Sequence, residues 1–247
     1  MAHLVAPTMG TTVSIDVRDP GIGLDVLERA VGVLGELEAR FTTWRPDSEI
    51  MRIDRGALLL EDAHPDVREV LAACGVLRAE SDGAFDAWRG GHLDPSGYVK
   101  GWAGERAADV LRDAGATSFS VNIGGDIVCV GEPAPGRPWR VGVRDPGSAT
   151  RIVLVLGVRD GAVATSGLYE RGVHVTDART GEAPTTWRSV TVLAPDLGTA
   201  DAIATAALAM GDDGPAWAAR RFACRVAAID GDGRLWTSPD LEAARVA

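Results

Sequence analysis

Residues 93–131, LDPSGYVKGWAGERAADVLRDAGATSFSVNIGGDIVCVG, set one helix pattern directly against one strand pattern, and the rest of the chain has to be arranged around that junction. Asp94-Pro95-Ser96-Gly97 is turn chemistry, with proline presetting one dihedral and glycine tolerating positive φ. After Lys100 and Gly101, the spacing of Trp102, Ala103, Ala107, Val110 and Leu111 predicts a helix with one buried face, which Gly115 ends. Residues 117–123 alternate as a strand, and Gly124-Gly125-Asp126 breaks it. Two adjacent glycines in a strand pattern mark a bulge or the close approach of another backbone or a ligand.

Lys100 is the only lysine among 25 basic residues. A lysine is a compact point charge and an arginine a wide planar fork, so the exception points to a tight pocket that excludes guanidinium; the bland alternative is a stray surface lysine. Its predicted place near a helix N-terminus favours a phosphate or carboxylate partner. A helix-to-strand packing junction without any ligand has the same pattern, and both readings stay open on this stretch alone.

The 247 residues carry no Pro/Ser-rich or charge-run linker, which predicts one domain over 1–247. With 46% apolar and 24% charged residues the chain can bury a substantial core. Its formal charge of -10, with arginines scattered rather than clustered, excludes nucleic acid as an expected partner. Cys74, Cys129 and Cys224 are odd in number and lack metal-like spacing, so buried reduced thiols are expected. MAHLVAPTMG has no signal-peptide character, and no apolar run approaches the ~20 residues of a spanning helix. A cytoplasmic location is the expectation from the sequence as given, an exported or membrane-associated one if a leader was removed.

Residues 11–17, TTVSIDV, alternate as a half-buried antiparallel strand, and a helix follows from about Gly23 to Arg40 with Leu24, Leu27, Val31, Leu34 and Leu37 on one face. FTTWRPDSEIMRID, 41–54, reads as a loop ending in a short amphipathic turn, with Trp44 either covering a core edge or offering a stacking platform. His64-Pro65-Asp66 starts a further helix whose apolar face is Val67, Val70, Leu71, Cys74 and Leu77. Asp82 and Asp86, four residues apart, are either paired acids or a turn with an aspartate cap. WRVGV, RIVLVLG, AVATSG, GVHVTD and RSVTVLA read as strands, with His174 facing away from Val173 and Val175. Thr199 is the expected N-cap of a small-residue helix reaching about Met210, on which Asp201 and Thr205 share a face. That pair either offers a carboxylate and a hydroxyl to a hard cation or merely complements the helix dipole. The chain closes with a hairpin turning at Asp230-Gly231.

No Walker A, Rossmann, Ser-His-Asp or HExxH pattern is present. MGTT at 9–12, TWRPDSEI at 43–50, DGAFD at 82–86, DPSGYVKG at 94–101, NIGGD at 122–126, ATSG at 164–167, HVTDARTG at 174–181 and ADAIATA at 200–206 nevertheless occur in one order across nearly the whole chain. Together they resemble the ApbE-type FAD:protein flavin mononucleotide transferases. The resemblance implies an α+β fold of antiparallel strands with packed helices, ApbE-like and T-fold-like. It also implies FAD as substrate, magnesium as cofactor, and transfer of the flavin nucleotide to a threonine in an acceptor protein with a D-x-x-[ST]-G-A-T pattern. On that resemblance Asp201, Thr205 and Gly97 hold the metal. Met9, Trp44, Ala84, Phe85, Asp86, Asp94, Lys100 and Thr176 contact the cofactor, which makes Trp44 a stacking platform. His174 serves as the base for the acceptor hydroxyl, with Lys100 and Asp201 as the other catalytic groups. Ala178 stands where such chains usually have proline, and Leu168 where an Asp often follows Ser-Gly. The alternatives are a magnesium-dependent FAD pyrophosphatase and a flavin-binding protein without chemistry.

Overall fold

The structure, a computed structural model, describes residues 1–168, 175–221 and 224–246, with nothing of the Arg221 side chain. The chain opens with β1 (Ala2–Thr8) and β2 (Thr11–Val17), joined through Met9 and Gly10 at φ 48 and 69. Two left-handed residues are what a two-residue hairpin loop requires. Helix α1 (Leu24–Phe41) follows, burying Leu27, Ala30, Leu34, Leu37 and Phe41 at helical spacing, then α2 (Glu49–Asp54) and α3 (Pro65–Glu80). A small ribbon of β3 (Trp88–Arg89) and β4 (His92–Leu93) leads into α4 (Ser96–Asp113). Next come β5 (Phe119–Ile123), β6 (Asp126–Val130), β7 (Trp139–Arg144), β8 (Ile152–Val158) and β9 (Gly161–Gly167). After β10 (Trp187–Ala194) come α5 (Leu197–Ala209) and α6 (Gly214–Arg221), and β11 (Arg225–Asp230) with β12 (Leu235–Thr237) ends the sheet.

Eight strands form one antiparallel sheet in the order β1-β2-β5-β6-β9-β10-β11-β12. Between β6 and β9 the chain leaves the sheet for the β7–β8 hairpin and returns beside the strand it left. The two faces of the sheet are buried differently. Val13, Ile15, Val17, Phe119, Val121 and Ile123 point to the helices, where α1, α4 and α5 form the main core. Cys129, Val163 and Ile229 point the other way, into a second core closed by Trp139, Val141, Val143, Leu154 and Leu156 of the hairpin. Helix α5 is buried nearly all round, against α4 on one side and β9 and β10 on the other, which explains its run of alanines.

The α+β fold of antiparallel strands with packed helices is the one expected, as are α3, the closing hairpin and α1, except that Leu24 in the first turn of α1 lies off its buried face and is exposed. Three local expectations are corrected, and one strand was not expected. Residues 94–97 do not form a free turn: Asp94 Oδ1 accepts the Ser96 N–H at 3.0 Å and helix α4 begins at Ser96, one turn before Lys100. The N-cap of α5 is Asp196, which accepts the Thr199 N–H at 2.8 Å, so Thr199 lies inside the helix. Val175–Asp177 of the GVHVTD segment is not a strand, and residues 172–174, with His174, lie outside the described residues. Finally, β1 is a strand that Pro7 conceals, because an edge strand tolerates a missing N–H.

Candidate active site

Helices α4 and α5 approach unusually closely, and the reason is a glycine stripe. A Cβ on Gly101 would lie 2.5 Å from Asp201 Cβ and 2.5 Å from the Leu197 carbonyl oxygen. A Cβ on Gly97 would meet Phe85 Cε2 at 3.0 Å and Thr205 Cγ2 at 3.2 Å. Without side chains at these positions, α4 lies directly against the face of α5 that carries Asp201 and Thr205. The Gly101 N–H donates to Asp201 Oδ2 at 2.9 Å, and the Lys100 ammonium reaches Asp201 Oδ1 at 3.4 Å. Thr205 Oγ1 shares a hydrogen bond of 2.9 Å with Ser166 Oγ of β9.

These groups form the floor of a cleft of about 530 Å³. Its mouth is framed by Met9 and Gly10 of the first hairpin, Thr42, Thr43 and Trp44 after α1, and the 84–86 turn. Met9 is held in its left-handed conformation by Glu38 of α1, whose Oε2 accepts the Met9 N–H at 2.7 Å. Asp82 and Gly83, at φ 52 and 82, turn the chain out of α3 and deliver Ala84, Phe85 and Asp86 to the cleft wall. The segment after the undescribed residues is tied to that wall by the Ala178 N–H on the Ala84 carbonyl at 3.0 Å, which brings Thr176 into the lining. There Asp177 accepts from Arg179, which holds its carboxyl below the usual carboxylate range.

Met9, Trp44, Ala84, Phe85, Asp86, Asp94, Gly97, Lys100, Thr176, Asp201 and Thr205 all line this one cleft. Three of them have exposure or contacts that bear on their place in the cleft. Trp44 is 92% exposed, so it covers no core edge and stands free at the rim. Asp86 pairs with Arg78 at 2.7 Å and caps the Trp88 N–H, so it belongs to the wall rather than to a carboxylate pair with Asp82. Asp94 pairs with Arg89 at 3.2 Å, itself a lining residue that sequence reasoning missed. Also missed were Glu38 and Ser166, whose roles depend on contacts between distant elements. Asp126 was missed as well. It is buried at the start of β6 and in direct contact with the Lys100 ammonium.

Among the described residues no group of three or more His, Cys, Asp and Glu side chains converges on one point. The oxygens at the cleft floor are an Asp carboxylate and the Thr205 and Ser166 hydroxyls, beside the first turn of α4. Such donors suit a hard cation that keeps part of its shell for water and ligand phosphates. The cysteines take no part: burial pushes the Cys74 and Cys129 thiols up to about 12 and Cys224 up to about 11. No helix among the described residues is long and apolar enough to cross a membrane.

The fold and the cleft define a class that comparison with known proteins makes specific. The sequence model of the ApbE family matches residues 9–91 and 88–229, and the chain belongs to that family. The FAD:protein FMN transferase of Vibrio cholerae is 29% identical to it over 274 residues, covering 85% of this chain and 82% of that protein. The solved flavin transferase ApbE from Vibrio cholerae superimposes with a TM-score of 0.86 at 27% identity over 98% of both chains. An ApbE protein from Thermotoga maritima shares the fold, with a TM-score of 0.87 at 22% identity.

Proposed function

We propose that this chain, acting as one domain, transfers the FMN part of FAD to a threonine hydroxyl of an acceptor protein and releases AMP. The observation that carries the reading is the meeting of the single lysine, Asp201 and Thr205 at the floor of a cleft whose rim presents a free tryptophan. A floor of that composition suits a pyrophosphate, and a planar rim residue suits a flavin or adenine ring. Two relatives matched over 85% of this chain and over 82% and 81% of their own lengths bear the name FAD:protein FMN transferase, which supports the same assignment.

In this reading Lys100 binds the pyrophosphate oxygens, and its charge opposes the negative charge that grows on the leaving phosphate. Asp201, Thr205 and the Gly97 carbonyl are the residues that would hold magnesium, a hard ion that fits their oxygens. Bound there, magnesium would supply further charge neutralisation on the phosphates. Trp44, Met9 and Phe85 orient the rings, with Ala84, Asp86, Asp94 and Thr176 completing the contacts. His174 takes the proton of the acceptor hydroxyl, an assignment that rests on the family resemblance; histidine titrates near ~6.5 and suits a base at neutral pH. Holding acceptor and phosphate together contributes ~7–11 kcal/mol of effective concentration, which lets a threonine outcompete water.

The test is incubation with FAD, magnesium and an acceptor domain bearing D-x-x-[ST]-G-A-T, followed by mass spectrometry. A gain of one FMN on the final threonine supports transfer. Free FMN and AMP with unmodified acceptor would replace it with a pyrophosphatase, and unchanged FAD with a binding protein.

A further inference from the structure

Among the described residues two carboxylates face Lys100, and the transfer chemistry uses only Asp201. Asp126 opens β6 directly after the Gly124-Gly125 turn, and its side chain is 2% exposed. Its Oδ1 accepts the Thr165 N–H at 3.0 Å. Its Oδ2 is buried, lies against the Lys100 ammonium, and has no other polar partner among the described residues. The bond to Thr165 needs only a carbonyl oxygen, which asparagine would supply equally well. The negative charge therefore serves the lysine, because a buried carboxylate is strongly disfavoured without a cation beside it. Asp201 does not duplicate this role, since its Oδ2 is committed to the Gly101 N–H and its Oδ1 meets the ammonium only at 3.4 Å.

We propose that Asp126 is a positioning residue: it anchors the Lys100 ammonium over the cleft floor, aimed at the phosphates of a bound dinucleotide, and so leaves Asp201 available to a hard cation. Lysine has a flexible stem and three donors. Released from β6, the ammonium would settle on Asp201, the other carboxylate in reach, and both groups would lose their work at once. The dinucleotide in this proposal rests on the flavin-transfer reading; the anchoring of the lysine does not.

The single lysine makes the test direct. In full-length, ligand-free protein labelled with 15Nζ-lysine, Lys100 should give one ammonium signal exchanging with water at least tenfold more slowly than free lysine. Asp126→Asn should remove that protection and Asp201→Asn should keep it, with thermal melts reporting whether each variant is folded. In FAD titrations followed by flavin fluorescence, Lys100→Gln should weaken binding tenfold or more in the wild type, but less than threefold in the Asp126→Asn background. The proposal is overturned by a wild-type signal that exchanges like free lysine, by protection that follows Asp201 instead, or by an equal Lys100→Gln effect in both backgrounds. Failure of the wild type to bind FAD would sink the flavin reading, while the exchange measurement would still decide the anchor.

Discussion

The two faces of the eight-stranded sheet are closed by opposite means. On the helical face, Gly97, Gly101 and Gly104 of α4 meet the alanine-rich α5, and the space gained by small side chains sets Thr205 beside Ser166 and brings Asp201 and Asp126 to the same Lys100 ammonium. On the hairpin face, Trp139, Val141, Val143, Leu154 and Leu156 fill the gap with bulk, and the cavity beside them, lined by Ser14, Ser120 and Asn122 among others, holds about 170 Å³. The chain gives up side-chain volume where it assembles a site and adds it where it only needs a seal. Polar groups can be buried on the first face because backbones there come close enough to satisfy them.

By that contrast, the largest effect belongs to Asp201→Asn. The variant keeps an acceptor for the Gly101 N–H and should fold normally, while flavin transfer falls by about 1000-fold, or about 4 kcal/mol of barrier. A mass-spectrometric time course with matched melting curves measures both. Leu156→Ala on the opposite face should do the reverse. It removes a fully buried side chain and should cost about 2–5 kcal/mol of stability in urea denaturation, with the transfer rate per folded molecule unchanged. Gly101→Ala tests the close approach itself. Its methyl has to displace Asp201 and the Leu197 carbonyl, so a loss of about 1–3 kcal/mol should come together with reduced activity, unlike the Leu156 variant.

Trp44→Ala should leave the melting temperature almost untouched, because the ring is 92% exposed, yet weaken FAD binding about 2- to 10-fold in fluorescence titration. The smallest signal comes from the thiols. Raised by burial to about 12, Cys74 in the helical core and Cys129 in the hairpin core stay neutral and protected at pH 8. A native protein should therefore react with a disulfide reagent only on opening. Which thiol reacts first, read by peptide mapping, ranks the two layers by local stability. Because the folded thiols keep their protons longer than unfolded ones near 9, their contribution to stability is complete below about pH 9 and declines as pH rises further.

The strands and helices with clear periodicity were legible, since Val13, Ile15 and Val17 or Leu27, Leu34 and Leu37 state their buried faces outright. What sequence could not show was pairing at a distance. Lys100 stood out by its rarity, but its partner Asp126 lies 26 residues on and reaches it only because β5 and β6 fold back through two glycines. Thr205 suggested a cation, while Ser166, 39 residues away, became its neighbour only through the packing of α5 on β9. Thr199 lost the capping position to Asp196 because a carboxylate three residues earlier captures its N–H. Trp44 was ambiguous in sequence since an aromatic among polar residues is common to rims and core edges alike.

The cleft draws its lining from Met9 in the first hairpin to Ala209 at the end of α5. Synthesis runs from the N-terminus, so the first wall is made long before the floor exists. The β1–β2 hairpin and α1 emerge with Glu38 already able to brace Met9, whereas Asp201 and Thr205 follow only once α5 is complete. The growing chain therefore has no complete cleft until α5 has left the ribosome. Added FAD should stabilise the finished molecule without accelerating the early steps of its folding.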